Sequence, residues 1–253
     1  MTRGLKAALQ DLMHPHLSLD YFTAPPTAPP SIDDEATSSA STSVTFAALL
    51  PLLVHNPPTP YNPALDGPYS AYLVACYSPH PLTRLLRDHT GAPVLNIFEA
   101  SLLHARALAL PFGIVTTGAY WEETLTNAVR EYFTGEGEAG VAVQSHEPFP
   151  SRRNIRGFVG VRSTGLTAFE LHSTPREVVT WRIVEATAQL VKNGARIIIM
   201  GCAGMAGMED AVRTGAMNEG QEVHIIDGVR AGVILLEGLV KTRVMSEYKL
   251  AVP

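Results

Sequence analysis

The sequence is poor in cysteine and carries no long run of charge of either sign. Its 253 residues include only two cysteines, too few for the disulfide framework of a small secreted domain. The formal net charge of −5 comes without a basic cluster, so we expect neither nucleic acid nor a membrane surface as a partner. No apolar run approaches the roughly 18 residues of a membrane span, and no signal peptide opens the chain. We therefore predict a reduced, soluble, cytoplasmic protein.

Motifs for metals and nucleotide phosphates are also missing. The nine histidines show no metal-ligand spacing such as His-Glu-X-X-His, so we predict no metal site. Residues 135–140 satisfy Gly-X-Gly-X-X-Gly, but they follow a predicted helix and place two glutamates where a pyrophosphate would lie. We interpret that match as accidental.

What the sequence does contain is an alternation of short apolar strands with helices, which is typical of an α/β fold with mainly parallel sheets. Residues 24–43 are rich in Ala, Pro, Ser and Thr and are predicted to form a loop. Residues 44–54 favour a buried helix that Pro51 bends or ends. Strands are predicted near residues 17–22, 71–75, 93–97, 112–118, 141–143, 158–161, 196–200 and 222–226.

The two cysteines occupy equivalent positions in this pattern. Cys76 and Cys202 each follow an apolar strand and precede a predicted helix. Open α/β sheets bind ligands at the carboxyl ends of their strands, and the positive end of a helix favours thiolate over thiol. A single cysteine of this kind is more often a small hydrophobic core residue. The repetition at both cysteines favours a chemical role for the pair.

Hydroxyl side chains stand at comparable strand ends. Thr116 and Thr117 close a third predicted strand, and Ser78 lies two residues after Cys76. These groups have two interpretations: they bind a carbonyl or carboxylate of a substrate, or they cap the following helix. The sequence favours neither.

Four segments together resemble the aspartate/glutamate/hydantoin racemase superfamily. They are Met-Gly-Cys202-Ala203-Gly204-Met, Ala-Cys76-Tyr77-Ser78, Val-Thr116-Thr117-Gly and Ile-Asp227-Gly. The resemblance covers nearly the whole chain and is strongest to the hydantoin/allantoin racemase branch, in particular to fungal DCG1-like proteins.

The resemblance implies two pseudo-symmetric, doubly wound α/β domains with mainly parallel sheets and an active site in the cleft between them. Residues 1–97 plus 226–253 would form the first domain, which carries Cys76, and residues 98–225 the second, which carries Cys202. It also implies a small-molecule substrate and no cofactor. The apolar helices favour a homo-oligomer.

In this family the reaction is a racemisation or epimerisation of a hydantoin-like ring, hydantoin or allantoin. By analogy, Cys76 and Cys202 lie on opposite faces of an acidic carbon, where one thiolate removes a proton and the other thiol delivers one. The substrate-binding residues implied by the resemblance are Ser31, Ile32, Tyr77, Ser78, Thr116, Thr117, Ala203 and Gly204.

One departure from the family pattern leaves alternatives open. Family members begin with a strand and an Asn-Pro-Asn-Ser/Thr loop that lines the pocket, whereas this sequence starts at the helix that follows them. The first strand of the first sheet is therefore expected to be missing. The missing loop motivates one alternative, a non-catalytic binding remnant. The other alternative keeps the site and changes the reaction, as related families do: a nucleophilic-cysteine isomerase of a small dicarboxylate.

Overall fold

A computed structural model describes residues 2–53, 68–135 and 155–247. It confirms the α/β class, because strands and helices alternate along the described chain. The strands are β1 (Tyr72–Val74), β2 (Val94–Asn96), β3 (Phe112–Thr116), β4 (Phe158–Ser163), β5 (Ile197–Met200) and β6 (His224–Asp227). The helices are α1 (Thr2–Ala8), α2 (Glu35–Leu53), α3 (Pro81–Thr90), α4 (Ile97–Leu108), α5 (Tyr120–Thr134), α6 (Glu170–Ser173), α7 (Arg176–Lys192), α8 (Glu209–Asn218) and α9 (Gly228–Glu247).

The described strands form two sheets that are parallel throughout. Strands β1 and β2 pair in one sheet, and the other has the order β4-β3-β5-β6. In the larger sheet Val115 of β3 pairs with Met200 of β5, which pairs in turn with Asp227 of β6. The carboxyl ends of these strands therefore lie along one edge, as the predicted ligand site requires.

The central strand β5 shows why this sequence forms a buried parallel sheet. All four of its residues are buried, and three consecutive isoleucines suit a strand that is covered on both faces. One core cluster extends from α1 and β2 through β3, β5 and β6. A second lies between β5, α7 and α8, and a third between α2, α3 and β1.

Two predicted segments differ from the structure. Residues 17–22 form no strand, although Leu17, Leu19 and Tyr21 pack against the main core. The predicted loop over residues 24–43 is wrong in its second half, because α2 begins at Glu35, and Pro51 lies inside that helix without ending it. The strand predicted over residues 141–143 lies outside the described residues.

Helix α2 is the one described helix that is long and apolar enough, by length and composition, to cross a membrane. Its most apolar 18-residue window has a mean hydropathy of 1.2, and 22% of that window is buried. In the fold, Phe46, Leu49 and Leu53 of this helix pack against the core between α3 and β1. The absence of a membrane partner stays a prediction.

Candidate active site

Each cysteine is the second residue beyond the end of its strand. Cys76 follows β1 of the two-stranded sheet, and Cys202 follows β5 of the four-stranded sheet. Both side chains are half-buried. A negative charge on Cys76 raises the pKa of Cys202. The two sulfurs, which are far apart along the chain and follow strands of different sheets, are therefore close enough to interact electrostatically.

The turn that carries Cys202 is built by close backbone approach. The Gly201 N–H donates to the Val115 carbonyl oxygen at 2.7 Å. A Cβ atom on Gly201 would lie 2.7 Å from that same oxygen, so only glycine fits there. The Thr116 hydroxyl donates to the Gly201 carbonyl oxygen at 3.2 Å. Thr116 thus holds the turn in place, and its hydroxyl is already engaged.

Cys202 also begins a short 3-10 turn over Ala203–Met205. The Gly204 N–H donates to the Cys202 sulfur at 3.3 Å, a contact that favours a negative charge on that sulfur. Ala203 and Gly204 are both buried. The helix predicted to start near Met205 begins only at Glu209.

Around Cys76 the predicted residues divide between the thiol and the core. The Ser78 hydroxyl is 3.5 Å from the Cys76 sulfur and is buried. The Tyr77 side chain instead lies in the main core, where its hydroxyl is 3.0 Å from the hydroxyl of Ser101. His80 caps α3 by accepting from the Leu82 N–H at 3.3 Å. Burial lowers the pKa of His80 to about 4, so this ring is neutral at neutral pH.

Among the hydroxyl groups predicted to bind substrate, that of Thr117 donates no hydrogen bond to another described residue. Its side chain is 5% exposed and makes no hydrogen bond within the described part of the chain. Its carbonyl oxygen accepts from the Gly165 N–H and from the Thr164 hydroxyl, which fix the backbone beyond β3. The Thr117 hydroxyl is thus held still and remains available to a ligand.

The segment around Ser31 holds a carboxylate, not singled out by the sequence interpretation, that acts electrostatically on Cys202. The Ser31 hydroxyl donates to Asp33 Oδ1 at 2.8 Å, and Ile32 packs against the main core. The charge of Asp33 raises the pKa of Cys202. Ser31 therefore positions Asp33. The signal was present, since Asp33 directly follows the two residues of this segment that the resemblance indicated.

His172 of α6 is a second residue that the sequence interpretation missed. A Cβ atom built on Gly204 would lie 3.1 Å from His172 Nε2 and 3.5 Å from the Cys202 sulfur, so both side chains border the same glycine. The His172 side chain is exposed. A short helix far from either cysteine motif gave no signal for it. His172 borders the site on the side of Cys202.

In the unliganded protein both cysteines are thiols at neutral pH, contrary to the expectation that helix ends favour thiolates. Burial raises the pKa of Cys76 to about 11, although the hydrogen bond with Ser78 opposes the shift. Burial raises the pKa of Cys202 to about 12. The charges of Cys76 and Asp33 also raise this pKa, whereas the hydrogen bond from the Gly204 N–H lowers it. No cationic side chain of the described residues lowers either value.

Two other features of the described residues bear on the site. No group of three or more His, Cys, Asp or Glu side chains among them is arranged to hold a metal ion. A groove of about 680 Å³ lies between α1, β6, α8 and α9 and contains neither cysteine. Within it Arg230 pairs with Asp11 at 2.6 Å. The thiols, and not this groove, define the candidate site.

Similarity to known proteins identifies the family of the chain. The family model for Asp/Glu/Hydantoin racemase matches residues 1–236. An uncharacterized protein of Schizosaccharomyces pombe is 33% identical over 95% of this chain and 87% of its own length. Protein DCG1 of Saccharomyces cerevisiae is 25% identical over 88% of this chain and 84% of its own.

Two further similarities concern proteins whose names state an activity. A hydantoin racemase of a Pseudomonas species is 26% identical over 71% of this chain and 63% of its own length. The crystal structure of an allantoin racemase from Pseudomonas fluorescens is 21% identical, covers 95% of this chain and 86% of its own, and superposes with a TM-score of 0.68, which shows a shared fold. The chain belongs to the Asp/Glu/hydantoin racemase family.

Proposed function

We propose that this protein is a cofactor-independent racemase or epimerase that acts on a hydantoin-like ring, hydantoin or allantoin, through Cys76 and Cys202. The observation that carries the proposal is that each thiol lies on the turn after its strand and that a charge on Cys76 acts on Cys202. The relative named hydantoin racemase and the family itself support the ring as substrate.

The proposed reaction needs one thiolate and one thiol at a time. The thiolate takes the proton from the ring carbon, and the C–H electron pair passes into the adjacent carbonyl to give an enolate. That carbon then takes the S–H proton of the other cysteine from the opposite face, and the second sulfur keeps the electron pair as a thiolate. The product is the opposite enantiomer, and the two cysteines have exchanged roles.

The surroundings of the thiols fit this exchange. Because a charge on Cys76 raises the pKa of Cys202, ionising one thiol keeps the other protonated. The enolate oxygen requires fixed donors where its charge develops. The hydroxyls of Thr117 and Ser78 are buried, Thr117 directly follows β3 and Ser78 lies against the Cys76 sulfur, and we assign them that role.

The experiment is exchange of the ring proton in heavy water. Purified protein incubated with one enantiomer of a 5-substituted hydantoin, or of allantoin, should racemise it and introduce one deuterium at the ring carbon. Cys76→Ser and Cys202→Ser should each lower the racemisation rate by about 100-fold or more, the usual contribution of an acid/base group. Polarimetry and mass spectrometry measure the two products.

Ser101 provides a matched control, since its hydroxyl bonds Tyr77 inside the core. Ser101→Ala should leave the racemisation rate within a few-fold of the wild type. No racemisation and no deuterium uptake by the wild type with any of these rings would overturn the proposal. Full activity in both cysteine variants would overturn the mechanism and favour a different site.

A further inference from the structure

We infer that His172 of α6 carries protons between the Cys202 thiol and water. The inference rests on the proposed function, and it gives a role in turnover to a residue outside both cysteine motifs. Each time Cys202 removes the ring proton, its thiol must lose that proton to water before it can act as a base again. His172 is placed to accept the proton.

The His172 ring and the Cys202 sulfur lie on either side of a residue without a side chain. A Cβ atom built on Gly204 would lie 3.1 Å from His172 Nε2 and 3.5 Å from the sulfur. The two atoms are therefore no farther apart than the sum of these lengths. Among the described residues the sulfur takes its hydrogen bond from the Gly204 N–H and not from the imidazole. The remaining gap is one that a proton crosses through a single water molecule.

Helix α6 is held against the turn that carries Cys202. Leu171, the residue before His172, is 3% exposed and packs in the core cluster between β5, α7 and α8. Its Cδ1 would lie 3.5 Å from the same Cβ position on Gly204. Burial of Leu171 thus fixes the backbone that carries His172 beside the thiol.

The imidazole also reaches water. The His172 side chain is exposed, and its ring makes no hydrogen bond to another residue that the structure describes. The Cys202 side chain is half-buried, and burial raises its pKa to about 12, so water alone removes its proton slowly at neutral pH. A neutral imidazole has one nitrogen that accepts a proton, and histidine side chains exchange protons with water near neutral pH.

The step is a proton transfer without any change of oxidation state. The S–H bond of Cys202 breaks, the sulfur keeps the electron pair as a thiolate, and a proton reaches His172 Nε2 through the intervening water. The imidazolium then releases a proton to bulk water. The reverse path restores the thiol after Cys202 has given its proton to the enolate.

The test separates the two faces of the ring by removing one thiol at a time. In Cys76→Ser, Cys202 alone removes the proton of one enantiomer of a 5-substituted hydantoin and returns a proton to the same face. That enantiomer should take up deuterium from heavy water without racemising. In Cys202→Ser, Cys76 should do the same for the opposite enantiomer. Mass spectrometry of each recovered enantiomer, corrected for exchange without enzyme, measures the two rates.

Adding His172→Ala should lower the exchange rate about tenfold to 100-fold in Cys76→Ser and leave it within about twofold in Cys202→Ser. Without the imidazole, Cys202 returns the proton that it removed before this proton exchanges with water. A purely structural effect would lower both rates. Imidazole added to the solution should restore part of the exchange lost in Cys76→Ser, whereas pyrazole, a similar ring that is a much weaker base, should not.

His224→Ala is the matched control. His224 is exposed and is the first residue of β6, where it pairs with Ile197 at the start of β5. Cys202 follows the other end of β5, so the two side chains lie at opposite edges of the sheet. His224→Ala should leave both exchange rates unchanged.

The outcomes separate this inference from the proposed function. Deuterium uptake in Cys76→Ser that His172→Ala leaves unchanged would overturn the role of His172 and leave the racemase standing. Absence of deuterium uptake in the wild type and in both single-thiol variants would overturn the proposed function itself. Where only the wild type exchanges measurably, His172→Ala alone decides: unchanged kcat for both enantiomers overturns the inference, and a loss that imidazole reverses supports it.

Discussion

At the scale of single residues, the behaviour of each thiol depends on how far it is withdrawn from water. The sequence places Cys76 and Cys202 at strand ends, where a helix dipole favours thiolate. In the structure the desolvation of the charged form outweighs the hydrogen bonds from the Ser78 side chain and the Gly204 N–H, so both pKa values are raised. Desolvation depends on what covers a side chain in the fold. The positions of the cysteines could therefore be predicted from sequence, and the direction of their pKa shifts could not.

The raised values predict how the racemisation depends on pH. A cysteine with a pKa of about 11 is ionised in roughly one molecule in ten thousand at neutral pH. Because the proposed reaction needs one thiolate, kcat/KM should rise about tenfold per pH unit from about pH 7 to about pH 9. Initial rates of optical rotation, corrected for the rate without enzyme, measure this profile. A plateau already reached near neutral pH would show that a thiol of the free enzyme has a lowered pKa.

The remaining predicted site residues also differ in whether their side chains are available to a ligand or support the fold. Ser78 lies against a thiol and Thr117 keeps a free hydroxyl, whereas the Thr116 hydroxyl holds a turn and the Tyr77 side chain packs in the core. The motifs name all four together, because a sequence motif records neighbours along the chain. Only the fold separates a hydroxyl that remains available to a ligand from one that supports the backbone.

At the scale of helices and strands, burial on both faces made β3 and β5 predictable, since their apolar runs leave little choice of structure. Helix α2 begins inside a stretch rich in serine and threonine that favours a loop. It forms because Asp34 accepts from the Thr37 N–H at 2.8 Å and because its apolar residues pack against α3. Tertiary packing here outweighs weak helix propensity.

The contact between α7 and α8 contains a buried hydroxyl that can be tested. Thr187 of α7 is 0% exposed, and its Oγ1 has no hydrogen-bond partner among the described residues. It packs beside Gly215 of α8, where a Cβ atom would lie 2.8 Å from the Thr187 Cβ. Thr187→Val keeps the shape and removes the unsatisfied group, so the free energy of unfolding should rise by about 1 kcal/mol.

Denaturant unfolding followed by circular dichroism measures the change. Thr187→Ala is the matched control, because it removes the hydroxyl together with a methyl group and leaves a small cavity, which should lower stability. A loss of stability in Thr187→Val would show that the hydroxyl has a partner, such as a buried water molecule.

At the scale of the whole molecule, the chain has two connections between the sheets, and these connections are in contact with each other. It leaves the first sheet where β2 meets α4 and leaves the second where β6 meets α9. A Cβ atom on Gly228, the first residue of α9, would lie 2.7 Å from the carbonyl oxygen of Ile97, the first residue of α4. The sequence alone does not predict this contact. The predicted division into residues 1–97 plus 226–253 and residues 98–225 stays a prediction.

Gly228 therefore fixes how the sheet of Cys76 sits against the sheet of Cys202. Its φ lies outside the left-handed region, so alanine is allowed by the local backbone and the substitution tests the close approach alone. Gly228→Ala should lower the free energy of unfolding by about 1–3 kcal/mol. It should also lower the racemisation rate by more than the stability loss explains, because a displacement of about 1 Å between acid/base groups costs up to about 100-fold in rate.

Gly238→Ala in the same helix is the control, because a Cβ atom there meets no atom within 4 Å. This variant should raise the free energy of unfolding by about 0.5–1 kcal/mol and leave the racemisation rate unchanged. Unfolding curves and deuterium uptake are measured on both variants. Equal stability and equal racemisation rates for the two variants would mean that the contact between Gly228 and Ile97 tolerates a wider separation and does not set the distance between the thiols.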